Sequence, residues 1–192
     1  AEIRQGKVFH RKQWEYIYTI RLLEKFDLLK RGVSGLGFGC GKEPLAAVMA
    51  KRGCDVVATD IPPVPEGDRF FGSTSVEDYF YEGIVDKSTF LDRVSFRAVN
   101  MNAIPEDLGK YDFVWSCCAF EHLGSLEHGL TFVLNANKYL KPGGVAVHTT
   151  EYNYSSDDDT YETPGLSLYR KRDLEGLVAR IEEQPTDPAV AL

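Results

Sequence analysis

The chain has 192 residues, of which 43% are hydrophobic and 27% are charged, and its formal net charge is -7. These values are ordinary for a globular protein, and the length is enough for one domain with a large hydrophobic core. The negative charge argues against a general nucleic-acid or anionic-membrane binder, and no segment has the pattern of a signal peptide or a transmembrane helix. We therefore expect a single cytoplasmic domain over residues 1–192, with neither nucleic acid nor membrane as a partner.

The first predicted element is an amphipathic helix over about residues 11–30. Apolar residues recur in this segment at roughly helical spacing. We interpret it as a packing helix that precedes the first strand. A functional alternative stays open, in which Trp14, Tyr16 and Tyr18 help to wall a substrate pocket.

Residues 35–41 carry a glycine at every second position and are the most informative segment of the chain. A weak apolar run at residues 32–36 is predicted as strand 1 from its context. The following residues, 42–52, are predicted to form a helix with Pro44 in its first turn. Glycine is needed where φ is positive or where a ligand must touch the backbone, so this turn suits a flat, bulky cofactor.

A second predicted strand, at residues 54–60, follows the helix and ends in the carboxylate of Asp60. Strand, glycine turn, helix, strand and acid form the opening of a nucleotide-binding βαβ unit. The dinucleotide pattern G-x-G-x-x-G is absent in every frame. A phosphate-binding P-loop is also excluded, because Gly41-Lys42 is followed by Glu43 instead of Ser or Thr.

The observed pattern G-x-G-x-G-x-G resembles motif I of the class I S-adenosylmethionine-dependent methyltransferases. The resemblance implies that the turn with Gly37, Gly39 and Gly41 passes beneath the methionine and ribose parts of the cofactor. It also implies that Asp60, with the neighbouring Ile61, binds the ribose hydroxyls. The chain departs from the family two residues before the first of these glycines, where many members carry an acid and this chain has another glycine. That departure leaves the acidic contact to the methionine amino group unassigned.

The later segments continue the alternation of strands and helices. Helical turns are predicted within residues 73–92, with Ser88 as a helix cap. The remaining core elements are strand 3 at 94–100, strand 4 at 111–118, a helix at about 124–140 and strand 5 at 145–152. Residues 141–144, Lys-Pro-Gly-Gly, are predicted as a turn similar to the family's turn before strand 5. The expected fold is therefore α/β, a Rossmann-like three-layer αβα sandwich with a mostly parallel sheet.

The segment after strand 3 matches the place where family members position the adenine ring. The resemblance implies that Asn102 and the backbone of Ala103 contact the adenine. It also assigns Cys117, at the end of strand 4, to the cofactor site. Asn100 and Asn102 could equally be turn residues, because asparagine often bonds to its own backbone in turns.

The candidate catalytic residues lie after strands 4 and 5, because ligands of open α/β sheets bind at the carboxyl ends of the strands. A sulfonium methyl is already activated, so the enzyme mainly has to align the acceptor, although a hydroxyl acceptor also needs a base. His122 has a suitable unperturbed pKa for that role, and Glu151 is the second candidate. Glu121 and Asn153 are the candidate substrate ligands. Alternatively, His122 only bonds to the backbone or to the cofactor carboxylate.

Metal binding is considered because Glu121, His122, His148 and Glu151 are suitable ligand types. No pair of them has the spacing of a secure metal site, so we assign no metal. The four cysteines, which include Cys117, show no zinc spacing either. We expect all four to be free, buried thiols in a reducing compartment.

The C-terminal part departs most from the family pattern. Residues 154–168 are polar and form either a lid over the substrate or a solvated connector, and a helix is predicted near 171–183. The full family sheet has seven strands, whereas only five can be placed in this chain. Either the chain is a truncated product, or the sheet edge is completed otherwise, for example across a homodimer.

We therefore interpret the chain as a methyltransferase that uses S-adenosylmethionine and acts on a small-molecule acceptor. The phrases Gly-Lys-Glu-Pro-Leu and His-Thr-Thr-Glu resemble those of bacterial members in polysaccharide or natural-product pathways, which favours a sugar hydroxyl as the acceptor. Two alternatives stay open. One is a catalytically silent cofactor-binding module, and the other is an NAD-dependent oxidoreductase.

Overall fold

The computed structural model of the chain describes residues 12–61, 73 and 75–183. The strands of its main sheet are β1 (Ser34–Gly37), β2 (Asp55–Asp60), β3 (Val94–Ala98), β4 (Tyr111–Cys117) and β5 (Leu140–Thr149). The helices are α1 (Gln13–Lys25), α2 (Leu45–Lys51), α3 (Lys87–Arg93), α4 (Leu126–Ala136) and α5 (Lys171–Glu182). The strands pair in the order β3-β2-β1-β4-β5, and every neighbouring pair is parallel.

Helices cover both faces of this sheet. One hydrophobic cluster packs α1, α2 and α3 against sheet residues that include Phe113 and Trp115. A second cluster packs α4 and α5 against Leu36 and Val114 on the other face. Successive strand residues point to opposite faces, so the central strands are apolar throughout. The expected Rossmann-like αβα sandwich is confirmed.

Two glycines of β1 make room for aromatic side chains of the neighbouring strand β4. A Cβ atom on Gly35 would lie 2.3 Å from the ring of Phe113, and one on Gly37 would lie 2.3 Å from the ring of Trp115. Such distances are far below van der Waals contact, so no larger residue fits. This close packing explains why the central strand is so poor in β-branched residues.

The strand order reverses between β1 and β4. Strands β2 and β3 are added on one side of β1, whereas β4 and β5 are added on the other. In open α/β sheets a ligand crevice lies at such a reversal, outside the carboxyl ends of the strands, so the crevice is expected beside the loops that follow β1 and β4. The glycine turn and the segment with Glu121 and His122 follow these two strands directly.

Several predicted boundaries differ from the observed ones. Helix α2 begins at Leu45, so that Pro44 precedes it instead of lying in its first turn. The cap of α3 is Asp86 and not Ser88, because the Asp86 carboxylate accepts a hydrogen bond from the Thr89 amide at 2.9 Å. Helix α4 ends early and continues as a short 3-10 turn over Asn137–Tyr139.

The predicted turn at residues 141–144 lies inside β5 as a bulge. Tyr111 pairs with Leu140, whereas Phe113 pairs with Val145, so four residues of β5 lie opposite one residue of β4. That residue is Asp112, which receives the Lys141 ammonium at 2.8 Å. The predicted turn before strand 5 is therefore wrong, because strand pairing continues on both sides of these residues.

The segment after β5 is more ordered than the predicted lid or connector. It contains an antiparallel hairpin of β6 (Glu162–Thr163) and β7 (Leu166–Ser167), and Tyr152 forms a parallel bridge with Tyr169. The predicted C-terminal helix is confirmed as α5. No helix within the described part of the chain is long and apolar enough to cross a membrane.

Candidate active site

The glycine turn that follows β1 is joined to the end of β2. The Cys40 amide donates to the Thr59 carbonyl at 3.0 Å. Gly39 and Gly41 have φ values of 59° and 52°, in the left-handed region that favours glycine. A Cβ atom on Gly39 would lie 2.8 Å from the Ala119 side chain, whereas one on Gly41 would meet no described atom within 4 Å. Position 41 is therefore the side of the turn that is open to a ligand.

Asp60 lies at the end of β2 and supports this turn. One of its carboxylate oxygens accepts from the Gly41 amide at 2.9 Å, and the other accepts from the Ile61 amide at 2.8 Å. Burial raises the pKa of Asp60 to about 6, although both backbone hydrogen bonds lower it. Each oxygen keeps a lone pair, so the carboxylate can also receive a pair of neighbouring ligand hydroxyls.

The residues assigned to adenine form a tight turn after β3. The Asn102 amide N–H donates to the Asn100 side chain at 2.9 Å, and the Ala103 amide donates to the Asn100 carbonyl at the same distance. The Asn102 side chain donates to the Leu123 carbonyl at 3.1 Å, which ties this turn to the loop after β4. Asn102 and Ala103 are exposed, whereas Met101 is buried beneath them. Asn100 thus takes the turn role that the sequence left open.

Cys117 and Cys118 end β4 in different ways. The Cys117 thiol is buried 3.5 Å from the Thr19 hydroxyl of α1, so only the backbone of Cys117 can border on a cofactor. Cys118 has a φ of 45°, which is rare for a residue with a side chain, and its amide donates to the Thr149 carbonyl at 3.0 Å. Burial raises the pKa of both thiols. All four cysteines are free and buried, as expected.

Glu121 and His122 lie next to each other in a 3-10 turn after β4. Glu121 is fully buried, and its Oε2 accepts from the Thr150 hydroxyl at 3.2 Å. Its Oε1 has no hydrogen-bond partner and lies 4.0 Å from Nε2 of His122. Burial raises the pKa of Glu121, while its own backbone amide, the neighbouring His122 and the side chains of Cys118 and Thr150 lower it.

The tautomer of His122 follows from its backbone contact. Its Nδ1 lies 2.8 Å from the Gly165 carbonyl, and a carbonyl can only accept. Nδ1 therefore carries the hydrogen, and the neutral ring keeps its lone pair on Nε2, the atom that faces Glu121. The hairpin of β6 and β7 thus orients the candidate base.

Of the two candidate residues after β5, Glu151 lies near the site and Asn153 is bonded within the loop that follows. Glu151 is half-buried, and its backbone carbonyl accepts from the Tyr169 amide at 3.2 Å. Asn153 uses its side chain within its own loop, because its Nδ2 donates to the Asp159 carbonyl at 2.9 Å and its Oδ1 accepts from the Ser155 amide at 3.0 Å. The Asn153 side chain therefore stabilises its own loop, and both of its polar atoms are already hydrogen-bonded there.

His148 lies on the other face of β5. Its Nδ1 is 2.7 Å from the Ser116 hydroxyl, and its ring packs edge-on against Phe120 and Phe132. Burial lowers its pKa to about 4, so the ring is neutral. His148 is thus separated from the other residues that the sequence considered as metal ligands. Within the described residues, the structure instead groups Cys118, Glu121 and Glu151, each with one ligand atom within 4.8 Å of the others.

Two buried carboxylates at this edge of the sheet were not identified from the sequence. Glu15 of α1 accepts from the Thr149 hydroxyl at 2.9 Å, and Glu43 accepts from the Trp115 indole N–H at 2.7 Å. Burial raises the pKa of Glu43 to about 8. The available signal was an acid within or just before a helix and close to apolar residues, which also occurs on solvent-exposed faces. Of the aromatic residues proposed as a pocket wall, Trp14 and Tyr18 are exposed.

Comparison with known proteins agrees with this geometry. A family model described as a methyltransferase domain matches residues 10–181, which is most of the chain. No curated protein matches the sequence. A candidate sarcosine dimethylglycine methyltransferase from Galdieria sulphuraria has a similar structure, with a TM-score of 0.62 and 18% identity over 88% of this chain. The match covers 60% of that protein, so this chain spans less than two thirds of its length.

Two further structures resemble the chain over nearly its whole length. Magnesium protoporphyrin IX methyltransferase from Synechocystis PCC 6803, solved with bound S-adenosylhomocysteine (SAH), has a TM-score of 0.61 and 12% identity, over 94% of this chain and 80% of that one. An amino pentose methyltransferase from Micromonospora echinaspora, involved in calicheamicin biosynthesis and solved with bound S-adenosylmethionine, has a TM-score of 0.59 and 13% identity, over 93% and 90%. At identities this low, the similar structures show a shared fold only. The match to the family model, in contrast, is a match of the sequence itself. The chain belongs to the methyltransferase domain family.

Proposed function

We propose that the protein binds S-adenosylmethionine at the glycine turn and transfers its methyl group to a small-molecule acceptor. The observation that carries the proposal is the Asp60 carboxylate, which holds the Gly41 amide at 2.9 Å and keeps lone pairs for the ribose hydroxyls. Family membership supports the same activity. The two similar enzymes solved with S-adenosylmethionine or SAH support the same cofactor.

The residues at the crevice fit this cofactor along its length. The turn of Gly37, Gly39 and Gly41 is the proposed contact for the methionine and ribose parts, and Gly41 presents an open side. Asp60 and Ile61 are proposed to bind the ribose. At the far end, the exposed residues Asn102 and Ala103 are proposed to contact the adenine, and the backbone of Cys117 borders the centre of the site.

The charge of the crevice favours this cofactor over NAD. Glu15, Asp60 and Glu121 are all buried at the carboxyl edge of the sheet. Buried carboxylates stabilise a nearby positive charge, and the sulfonium and amino groups of S-adenosylmethionine are both positive. The diphosphate of NAD is negative and would be repelled. The absence of the dinucleotide glycine pattern argues in the same direction.

The chemistry that we propose uses His122 as the base for a hydroxyl acceptor, with a sugar hydroxyl favoured. S-adenosylmethionine supplies, when bound, a methyl group that is already activated. The acceptor hydroxyl gives its proton to Nε2 of His122, whose lone pair is set by the Nδ1 contact to Gly165. Glu151 is the alternative base, and Glu121 binds the acceptor. Asn153, also proposed for substrate binding, would act by shaping its loop.

An activity assay with matched variants tests this assignment. The release of SAH is measured with a panel of sugars in the presence of S-adenosylmethionine. We expect turnover with a hydroxyl acceptor, and a loss of about a hundredfold to ten-thousandfold in His122→Ala, since general bases contribute that much. Glu151→Gln should cost less. If both variants react at the wild-type rate, the base assignment is wrong and alignment alone is sufficient.

Two other predictions from the sequence belong to this proposal. A catalytically silent module would bind SAH and give no turnover with any acceptor, so the same assay separates it from an enzyme. We also propose a reducing, cytoplasmic setting, which the four free thiols support. A homodimer across the β5 edge stays a prediction, and a sedimentation measurement of the full chain decides it.

A further inference from the structure

Cys118, Glu121 and Glu151 meet at the carboxyl ends of β4 and β5, beside the proposed base. One thiol sulfur and one oxygen from each carboxylate lie within 4.8 Å of one another. Cys118 and Glu121 are buried, and Glu151 is half-buried. Three groups that become negative when ionised are thus held together where water can screen them only weakly.

The buried side chain of Glu121 offers this group an unpaired carboxylate oxygen. Glu121 is 0% exposed, yet its Oε1 makes no hydrogen bond. A buried carboxylate oxygen without a partner is costly, and native structures rarely leave one. The other oxygen, Oε2, is fixed by the Thr150 hydroxyl at 3.2 Å. A carboxylate held by one oxygen, with the other unpaired, is the arrangement of a metal ligand with an outer-sphere partner.

The groups around Cys118 also suit a cation, because they include a further carboxyl group and a hydroxyl that holds it in place. Glu15 lies next to Cys118 and adds a further buried carboxyl group. The Thr149 hydroxyl links the two residues. It donates a hydrogen bond to Glu15 at 2.9 Å and accepts one from the Cys118 amide. The left-handed backbone of Cys118 directs its side chain differently from that of Cys117, whose thiol contacts Thr19.

We propose that Cys118, Glu121 and Glu151 form a binding site for a divalent metal ion of the Zn²⁺ type. A thiolate with two carboxylates suits zinc, which accepts sulfur and oxygen ligands, and disfavours magnesium and calcium, which prefer oxygen alone. Binding breaks the S–H bond of Cys118, the thiolate sulfur bonds to the metal, and the proton is released to solvent. Three protein ligands leave one coordination position open, as in catalytic zinc sites.

The open position would take the acceptor hydroxyl, and this role rests on the proposed function. A metal-bound hydroxyl has a strongly lowered pKa, so its proton moves readily to a nearby base. Nε2 of His122 lies 4.0 Å from Oε1 of Glu121 and is placed to receive that proton. The binding of the ion itself depends on neither the cofactor nor the acceptor.

The test is a titration of the reduced, chelator-treated full chain with Co²⁺, which replaces zinc and reports a thiolate ligand by a charge-transfer absorption band. We expect one equivalent to bind with this band and Zn²⁺ to displace it. Cys118→Ser should abolish the band, and Glu151→Gln should weaken binding by at least about tenfold. Cys54→Ser is the control that keeps the band, because this thiol lies near the carbonyls of Leu28 and Lys30.

Two results would overturn the site: no cobalt binding by the wild-type chain, or a band that persists in Cys118→Ser. If Cys118→Ser does not fold, as judged by circular dichroism, unchanged affinity in both Glu121→Gln and Glu151→Gln rejects the proposal. SAH binding is measured on the same samples. Cobalt binding without SAH binding contradicts the proposed function and leaves the metal site standing, whereas the reverse result rejects the metal site alone.

Discussion

Asp60 joins the structure of the glycine turn to the proposed chemistry of the cofactor. Its carboxylate accepts hydrogen bonds from the amides of Gly41 and Ile61, and it lies at the carboxyl end of β2. Burial raises its pKa to about 6, which is within the range of ordinary assay buffers. The affinity for a ligand that binds to Asp60 should therefore change as this residue is protonated.

We predict that the affinity for SAH falls as the pH drops below 6. The ribose hydroxyls donate to the ionised carboxylate, so binding favours the charged form and is constant above about pH 7. Protonation of Asp60 removes that acceptor, and affinity at pH 5 should be about tenfold lower than at pH 7. Calorimetric titrations across this range measure the change. Asp60→Asn should bind weakly with a flat profile, and a wild-type affinity that does not change with pH would contradict the role of Asp60.

The sequence identified Asp60 and His122 because each carries a local signal: an acid after an apolar strand, and a histidine after strand 4. Glu15 and Glu43 carry no such signal. Their burial depends on how α1 and the segment before α2 pack against the sheet. There the Thr149 hydroxyl donates a hydrogen bond to Glu15, and the Trp115 indole N–H donates one to Glu43. The free oxygen of Glu121 is likewise a property of the tertiary structure. Chain order thus predicts which residues follow the carboxyl ends of the strands, but not the hydrogen-bond partners of their side chains.

Among the elements, the parallel strands were predicted best, because most of them are apolar runs with a marked end and β1 follows from its place before the glycine turn. The five strands all exist, and β2 and β4 end within one residue of the predicted positions. The bulge at residues 141–144 and the hairpin of β6 and β7 were missed. Both depend on pairing with a distant segment, and glycine or proline in a sequence does not show whether pairing continues beyond it.

Two helix glycines give a prediction for the packing of these elements. A Cβ on Gly129 of α4 would lie 1.8 Å from the Tyr169 hydroxyl and 2.6 Å from the Phe120 carbonyl, whereas one on Gly176 of α5 would meet nothing within 4 Å. Gly129→Ala should therefore destabilise the protein by about 1–3 kcal/mol through overpacking. Gly176→Ala should stabilise it by about 0.5–1 kcal/mol, because alanine favours helix. Urea unfolding measures both, and equal effects would refute the packing of α4 against Tyr169.

At the scale of the whole molecule, the buried carboxylates should make stability depend on pH. The pKa of Glu43 is about 8 in the folded protein and near 4.5 when the chain is unfolded. Between these values the folded state holds a proton that the unfolded state has released, so stability falls as the pH rises. Between pH 6.5 and 8 this loss should reach about 2 kcal/mol, since one pKa unit corresponds to about 1.4 kcal/mol.

The variant Glu43→Gln assigns this slope, because other groups also contribute near the window from pH 6.5 to 8. The pKa of Asp60 is raised to about 6 and that of Glu121 is raised, while His148, with a folded pKa of about 4, takes up a proton on unfolding near pH 6.5. Urea unfolding at both ends of the window gives the slope. Glu43→Gln should remove it while keeping the Trp115 contact, and the exposed Glu82→Gln should not. Equal wild-type stability at the two pH values would contradict the burial of an ionisable Glu43.

The measurement that tests the central claim most directly is a calorimetric titration of the full chain with SAH, with NAD as the control ligand. The account predicts micromolar binding of SAH, no binding of NAD, and loss of SAH binding in Asp60→Ala. Binding of NAD, or SAH binding that Asp60→Ala leaves intact, would contradict the assignment of the glycine turn to this cofactor. Failure of the wild-type chain to bind SAH would contradict the proposed function itself.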